Sequence, residues 1–160
     1  MNRKIRRSVF ETNSSSTHSF TYGNTNNNLA VNDEDGCVHT DLGEFGWEVE
    51  TYYDSATKLA YILLAAANFT GHSFWYFGDN GFDNMLESFK ETEEYKRIED
   101  AVRSHMECAG IVIDDKSEGY IDHQSLEQGS FDSWLYDTGA SSVEDFIFGN
   151  IVLHTDNDNY

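Results

Sequence analysis

Apolar side chains recur along the chain at two spacings, and each spacing predicts a different kind of element. The 3.6-residue spacing of a helix is clearest in residues 54–68, where Asp54 or Ser55 can cap the first turn. The apolar stripe of this segment is broad, and it comprises Leu59, Tyr61, Ile62, Leu63, Leu64, Ala65 and Ala66. We therefore expect residues 54–68 to form a central helix that is buried on more than one side.

A second helix is predicted over residues 92–108, because apolar side chains return there at steps of three and four. Glu93 and Glu94 fall in its first turn, where the helix dipole favours negative charge. A turn at residues 78–81 and a short helix at 82–90 are expected before it. Further helical turns are expected after Ser130 and over residues 143–148.

Short runs rich in aromatic and β-branched residues predict strands around these helices. The predicted strands are residues 5–10, 18–22, a short one around Val38, 73–77, 111–113, 119–125 and 150–155. We expect strand 119–125 to pair with strand 111–113. Strands and helices are mixed without a βαβ repeat, so the predicted fold class is α+β. Residues 1–160 should form one compact domain, in which a small mixed or antiparallel sheet packs against two or three helices, including 54–68 and 92–108.

The composition supports a packed domain. The chain has 160 residues, enough to bury a core, and its 14% aromatic content is unlike that of disordered chains. No window of 18 apolar residues occurs, which excludes a predicted membrane-spanning helix. Cys37 and Cys108 match no zinc spacing and fit reduced thiols in a cytosol. We therefore predict a cytoplasmic protein.

Charge changes the picture most. The formal net charge is −19, and four of the ten basic residues lie within the first seven positions. Residues 8–160 hold 6 basic against 29 acidic side chains, a net charge of −23. Such a body repels nucleic acid and anionic membranes and attracts basic surfaces. The same surplus also fits a solvated face that serves solubility or a salt-rich habitat.

The N-terminal segment carries a resemblance. Residues 6–19 read Arg-Arg-Ser-Val-Phe-Glu-Thr-Asn-Ser-Ser-Ser-Thr-His-Ser, and the nine from Glu11 to Ser19 are all polar. This segment resembles the start of a group of small phage and prophage-borne bacterial proteins. The resemblance extends to residues 43–47, 119–125 and 155–158. It implies a virus or prophage setting, hence a host cytoplasm, and assigns no functional residues.

Charge and resemblance together predict an acidic phage-type protein that binds and inhibits a host nucleic-acid-handling or defence protein, with DNA mimicry as one means. Carboxylates along helix 92–108 would imitate duplex DNA, which carries one charge per roughly 1.7 Å of axis. Aromatic side chains among acids would anchor the interface. The predicted binding residues are Glu44, Trp47, Glu48, Glu50, Glu91, Glu93, Glu94, Glu99 and Asp100. The partner would be a protein with a basic surface, and direct nucleic-acid or membrane binding is not expected.

An alternative prediction is a small hydrolase or transferase whose site combines the 11–19 loop with the Asp122-His123 pair. Nucleophilic catalysis needs a hydroxyl, a base and an orienting group, and all three residue types occur there. The candidate catalytic residues are Glu11, Ser14, Ser15, Ser16, His18, Asp122 and His123. Hydroxyls that cap their own backbone and histidines held in a core network explain the same residues structurally. An enzyme acting on an anion would also need more positive charge, so we favour the binding protein.

Metal binding is the weakest prediction from the sequence. Acidic and histidine side chains are frequent after residue 113, and the candidates are Asp114, Asp115, Asp122, His123, His154, Asp156 and Asp158. Their spacing matches neither a His-Glu-x-x-His site nor a complete calcium loop. We therefore predict no metal and no cofactor.

Overall fold

The computed structural model describes residues 2–3, 16–46, 49–75, 78–114, 118–122, 126 and 129–157. The elements in chain order are β1 (Asn2–Arg3), β2 (Ser16–Tyr22), β3 (Val38–Thr40), β4 (Glu44–Phe45), β5 (Glu50–Tyr52), α1 (Ser55–Phe69), α2 (Gly78–Lys90), α3 (Glu93–Met106), β6 (Ile111–Ile113), β7 (Tyr120–Ile121), α4 (Phe131–Thr138), α5 (Val143–Phe148) and β8 (Ile151–Asn157). The predicted α+β class is confirmed: small sheets pack against helices in one compact domain.

Helix α1 is the centre of the core, as its broad apolar stripe predicts. Every residue from Leu59 to Ala67 is at most 4% exposed. Asp54 is the N-cap residue, and its carboxylate accepts a hydrogen bond from the Thr57 amide at 2.9 Å. Helices α3, α4 and α5 and strands β3 and β7 all contact α1. The helix is therefore enclosed by the other elements.

The larger sheet is antiparallel, with strand order β1-β2-β8-β5. Strands β2 and β8 pair along seven residues, with Phe20 opposite Leu153 and His18 opposite Thr155. These four side chains are buried, so this face of the sheet packs on the core. The predicted strands 18–22 and 150–155 are thus confirmed. The predicted strand at 5–10 lies outside the described residues.

Two parallel strand pairs, β3–β6 and β4–β7, lie apart from this sheet and correct one prediction. Strand 111–113 does not pair with the segment at 119–121. It lies beside β3 instead, where the Val38 amide donates to the Gly110 carbonyl at 2.9 Å and the Asp114 amide donates to the Thr40 carbonyl at 3.0 Å. Parallel strands need a long crossover connection, and helices α1, α2 and α3 supply it here.

The α2–α3 region shows two further differences from the predictions. Residues 78–81 form the first turn of α2 rather than a separate turn. Phe82 and Phe89 are buried on this helix, and Phe82 contacts Phe74 with ring centroids 6.3 Å apart. Tertiary packing thus overrides the turn preference of the glycines. Of the predicted strand 73–77, only Phe74 shows strand pairing in the described part, as a single bridge to Gly119. None of the helices described is both long and apolar enough to span a bilayer.

Candidate binding surface

Several predicted site residues lie outside the described part of the chain. They are Glu11, Ser14, Ser15, Trp47, Glu48 and His123. Ser16 is the first residue of β2 and pairs with Asn157. The predictions that rest on these residues stay predictions. The positions of the others can be compared directly with the two functional hypotheses.

His18 lies in the core. Its side chain is 0% exposed, and its Nδ1 shares a hydrogen bond of 2.5 Å with the hydroxyl of Tyr61 on α1. Tyr61 is also 0% exposed, and burial raises the pKa of its hydroxyl well above the ordinary value, so the phenol remains neutral. A fully buried, hydrogen-bonded pair of this kind stabilises the packing of β2 on α1.

Asp122 directly follows strand β7. Its amide donates to the Phe45 carbonyl at 2.8 Å, which continues the β4–β7 pairing. Burial, followed by the nearby charges of Glu44 and Asp122, raises the pKa of Tyr120. Asp122 is therefore a neighbour of β4, whereas His18 is held by α1. The predicted catalytic set stays a prediction, because most of the 11–19 loop and His123 lie outside the described residues.

The carboxylates predicted on helix 92–108 have unequal roles. Glu91, Glu93 and Asp100 are exposed, and Glu94 is half-buried. Glu99 instead accepts hydrogen bonds from the Tyr95 hydroxyl at 3.0 Å and the Ile111 amide at 3.3 Å, which fastens β6 to α3. Four of the six basic residues beyond position 7 also lie in residues 78–107, among 9 acidic ones. This helix pair has mixed charge, and the DNA mimicry predicted for helix 92–108 stays a prediction.

A cleft of about 330 Å³ opens between α1 and strands β3, β4 and β5. Its walls are partly aromatic, because Phe45 and Tyr52 meet edge to face with centroids 5.7 Å apart. Asp41 and Glu44 line it and are both exposed. No lysine or arginine occurs among the lining residues that the structure describes. The cleft therefore presents negative charge beside apolar rings.

His39 marks one end of the cleft and is held between two carboxylates. Its Nε2 lies 2.6 Å from Asp35 Oδ2, and its Nδ1 lies 3.6 Å from Asp114 Oδ1. The hydrogen bond between His39 and the Asp35 carboxylate is the main reason that the pKa of His39 is raised. The pKa of Asp35 is lowered, chiefly because its carboxylate accepts from the Cys37 amide and then because of His39. One imidazole thus faces two carboxylates, so this end of the cleft keeps a net negative charge.

An aromatic pair, in which Trp75 is exposed and Tyr120 is half-buried, lies near Glu44 and Asp122. Trp75 is 50% exposed, and its ring centroid is 4.6 Å from that of Tyr120. Tyr120 in turn senses the charges of Glu44 and Asp122. We call this surface the acidic margin, and it comprises Asp35, Asp41, Glu44, Asp114 and Asp122 with the Trp75–Tyr120 pair. Only Glu44 and Asp122 of these residues were predicted from the sequence as binding or catalytic residues.

This chain matches no protein-family model, no curated protein and no solved structure. Within the segments that the structure describes, no group of three or more histidine, cysteine or acidic residues could hold a metal ion. What the geometry offers is a charged, partly aromatic surface suited to recognition.

Proposed function

We propose that the protein binds a basic surface of a nucleic-acid-handling or defence protein through its acidic margin, and inhibits that protein by competing with nucleic acid. The observation that carries the proposal is the concentration of carboxylates around the cleft, beside an aromatic pair of which Trp75 is exposed. The resemblance of residues 6–19 to phage and prophage-borne proteins supports a bacterial target in the host cytoplasm.

The distribution of the basic residues strengthens this proposal. Outside residues 78–107, the chain beyond position 7 holds 20 acidic side chains and only two basic ones, Lys58 and Lys116. Lys58 is 0% exposed, and its ammonium donates to the carbonyls of Gly149 and Ile151 at 3.1 and 3.0 Å. It is thus used inside the core and offsets little of the surface charge. The surplus of acidic over basic side chains is thus greater outside residues 78–107, in the part of the chain that includes the acidic margin.

A basic nucleic-acid-binding groove is the partner that this surface fits. Such grooves are lined by Lys and Arg that contact phosphates, and a row of carboxylates meets the same cations. Complementary charge speeds association and rejects acidic partners. The Trp75–Tyr120 pair adds a rigid apolar anchor of the kind that dominates many interfaces. The charges would speed association, and the aromatic pair would slow dissociation.

Neutral variants with matched charge test this proposal. Asp41→Asn/Glu44→Gln removes two negative charges from the acidic margin, and Glu91→Gln/Glu93→Gln removes two from the start of α3. A bacterial protein captured by the wild-type chain is purified, and its affinity for each variant is measured by calorimetry over a range of salt concentrations. We expect the margin variant to bind about tenfold more weakly, a loss of about 1.4 kcal/mol, with a shallower salt dependence. The α3 variant should bind nearly as well as the wild type.

Competition with duplex DNA provides the second measurement. If the target uses one surface for both ligands, duplex DNA should release the bound protein at constant ionic strength. A complex that persists in saturating DNA would contradict competition with nucleic acid. Equal weakening by both variants would contradict the assignment to the acidic margin.

A further inference from the structure

A second groove lies on the helical side of the molecule, between α3, α4 and α5. It encloses about 580 Å³ and is larger than the cleft of about 330 Å³ between α1 and strands β3, β4 and β5. Its floor is apolar and consists of Ala101, Leu135, Ala140 and Val143, of which the last three are at most 8% exposed. Tyr136 stands at its edge and is 72% exposed. Because the three buried floor residues are almost wholly covered, the apolar surface that a ligand can reach consists mainly of Tyr136 and the half-buried Ala101.

The charges of this groove are predominantly negative. Asp100, Asp132 and Glu144 line it together with a single cation, Arg97. Arg97 donates to Asp132 at 2.6 Å and lies 5.4 Å from the centre of the Phe131 ring, so its positive charge is already paired within the protein. Asp132 is neutralised in the same pair. Asp100 and Glu144 remain as the acids that a ligand would meet.

These two acids differ in what already contacts them. Glu144 Oε1 lies 3.6 Å from Nδ1 of His105, whose ring stacks on Phe148 with centroids 3.8 Å apart. Asp100 has no hydrogen bond or ion pair to any part of the chain that the structure describes. It is exposed on the same turn of α3 as the apolar Ala101. An arriving cation would thus find one carboxylate without a competing protein group, next to an apolar floor.

We propose that this groove binds a basic amphipathic segment of a protein partner, in which Lys or Arg alternates with aliphatic side chains. The aliphatic side chains would pack on the exposed ring of Tyr136 and on Ala101, above the floor of the groove. The cationic groups would contact Asp100 and Glu144, and the methylene stems of Lys and Arg would cover the remaining apolar surface. Charge complementarity disfavours acidic segments, and the exposed ring favours a segment with apolar side chains over a purely polar one. This inference does not rest on the acidic margin or on any role of the partner with nucleic acid.

A synthetic peptide of alternating leucine and arginine serves as the probe, so no host protein is needed. The full-length, isotope-labelled chain is titrated with the peptide, and backbone amide signals are followed by NMR. We expect the largest shifts at Ala101, Ala140 and Val143. Two control peptides of equal length are used: glutamate replaces arginine in one, and serine replaces leucine in the other. Both should bind at least tenfold more weakly.

Charge-matched variants separate a specific site from general attraction to an acidic protein. Asp100→Asn/Glu144→Gln should reduce the peptide affinity about tenfold, whereas Glu91→Gln/Glu93→Gln, outside the groove, should leave it unchanged. Equal losses in both variants, or largest shifts around Asp41 and Glu44, would overturn the proposal. Equally tight binding of the serine peptide would also overturn it, because the apolar surface of the groove would then contribute nothing. The result stands or falls separately from competition with DNA, which this experiment does not measure.

Discussion

The central helix and the acidic margin use polar side chains in opposite ways. On α1, Ser55 donates to the Ile147 carbonyl at 2.9 Å, and Lys58 and Tyr61 are held by backbone carbonyls and by His18. All three are buried, and each has a protein partner. At the acidic margin, Asp41 and Glu44 are exposed around a cleft with no lysine or arginine among its described lining residues.

The difference teaches that residue type alone does not distinguish structure from function in this chain. A histidine, a tyrosine and a lysine, the usual residues of acid–base chemistry, are here buried and satisfied by the fold. Carboxylates, which are usually assigned to solubility, form the surface through which we propose that the chain binds a basic partner. Four measurements test this contrast, beginning with the largest expected effect.

Removal of the Tyr61 side chain should give the largest loss of stability. Tyr61→Ala leaves a cavity between Phe45, Trp134 and Phe146, whose ring centroids lie 5.1 to 6.4 Å from that of Tyr61. We expect the free energy of unfolding, measured in urea, to fall by about 3–5 kcal/mol. Tyr61→Phe, which removes only the partner of His18, should cost about 1–3 kcal/mol.

Tyr53→Ala is the matched control, since Tyr53 is 52% exposed. Its effect should stay within about 0.5 kcal/mol. Similar losses for Tyr53→Ala and Tyr61→Ala would show that the buried Tyr61 on α1 stabilises the fold no more than an exposed tyrosine does.

Lys58→Met should give the next largest effect. The variant keeps an aliphatic side chain of similar length but removes the ammonium donor of the Gly149 and Ile151 carbonyls. The Gly149 carbonyl still accepts from the Thr25 hydroxyl at 2.8 Å, so the larger loss is expected at Ile151. An unsatisfied buried acceptor costs about 1–3 kcal/mol, which chemical unfolding at neutral pH would detect. Lys90→Met, at an exposed position at the end of α2, is the control and should be nearly neutral. No loss in Lys58→Met would mean that these carbonyls find other donors.

The pH dependence gives the same residue a second test. Burial lowers the pKa of Lys58 to about 8 from an ordinary value of 10.5. Between pH 8 and pH 10.5 the unfolded chain binds more protons than the folded chain. The contribution of Lys58 to the free energy of unfolding is therefore full above pH 10.5 and is lost as the pH falls through about 8. Wild-type stability should thus rise from pH 8 towards pH 10, and Lys58→Met should abolish the rise. The window ends there, because the raised pKa values of Tyr61 and Tyr95 act in the opposite direction.

The sequence predicts those parts of the fold that depend on local pattern. Helix α1 follows from its 3.6-residue stripe, and α4 follows from Ser130, whose hydroxyl accepts from the Ser133 amide at 3.1 Å. The pairing of β6 with β3 could not be predicted, because the partners are separated by three helices and neither strand specifies its neighbour. The prediction for the start of α2 was wrong for a related reason. Gly78 and Gly81 favour a turn locally, and only packing of the helix selects the helical conformation.

The candidate site was less predictable than the fold. The sequence places Asp35 and His39 four positions apart, which would bring them together on a helix. Here residue 39 lies in β3, and the turn at residues 33–36 is what brings the two side chains to 2.6 Å. Asp114 joins them only because β6 lies beside β3. Trp75 carried no charge or motif that would mark it. Long-range pairing creates the acidic margin, so local pattern could not reveal it.

Asp35→Asn tests whether the acidic margin acts as one electrostatic unit. The substitution keeps an acceptor for the Cys37 amide, which Asp35 Oδ1 binds at 2.9 Å, but removes the charge facing His39. The pKa of His39, followed by NMR, should fall towards its ordinary value of 6.5. Asp114→Asn should lower it less, since Asp35 makes the closer contact. Asp33→Asn, with the same charge change outside this contact, should leave it nearly unchanged.

The sign of the linked stability follows from the raised pKa of His39. Its contribution is full below pH 6.5 and is lost as the pH rises through the folded-state value. Because the histidine is exposed, the change in unfolding free energy should be small. The NMR titration is therefore the deciding measurement. A His39 pKa that does not respond to Asp35→Asn would show that the two side chains are apart in solution.

The smallest effect is expected from the Arg97–Asp132 pair, which lies in neither of the two regions compared. The two side chains are 42% and 73% exposed, and exposed pairs contribute only about 0.2–1 kcal/mol. In a chain of net charge −19, removal of Asp132 also relieves repulsion among the acids, so Asp132→Asn alone underestimates the pair. A double-mutant cycle with Arg97→Gln isolates the coupling, and salt should reduce it. A coupling energy above this range that persists in salt would show that the pair holds α3 and α4 together more strongly than an exposed ion pair does.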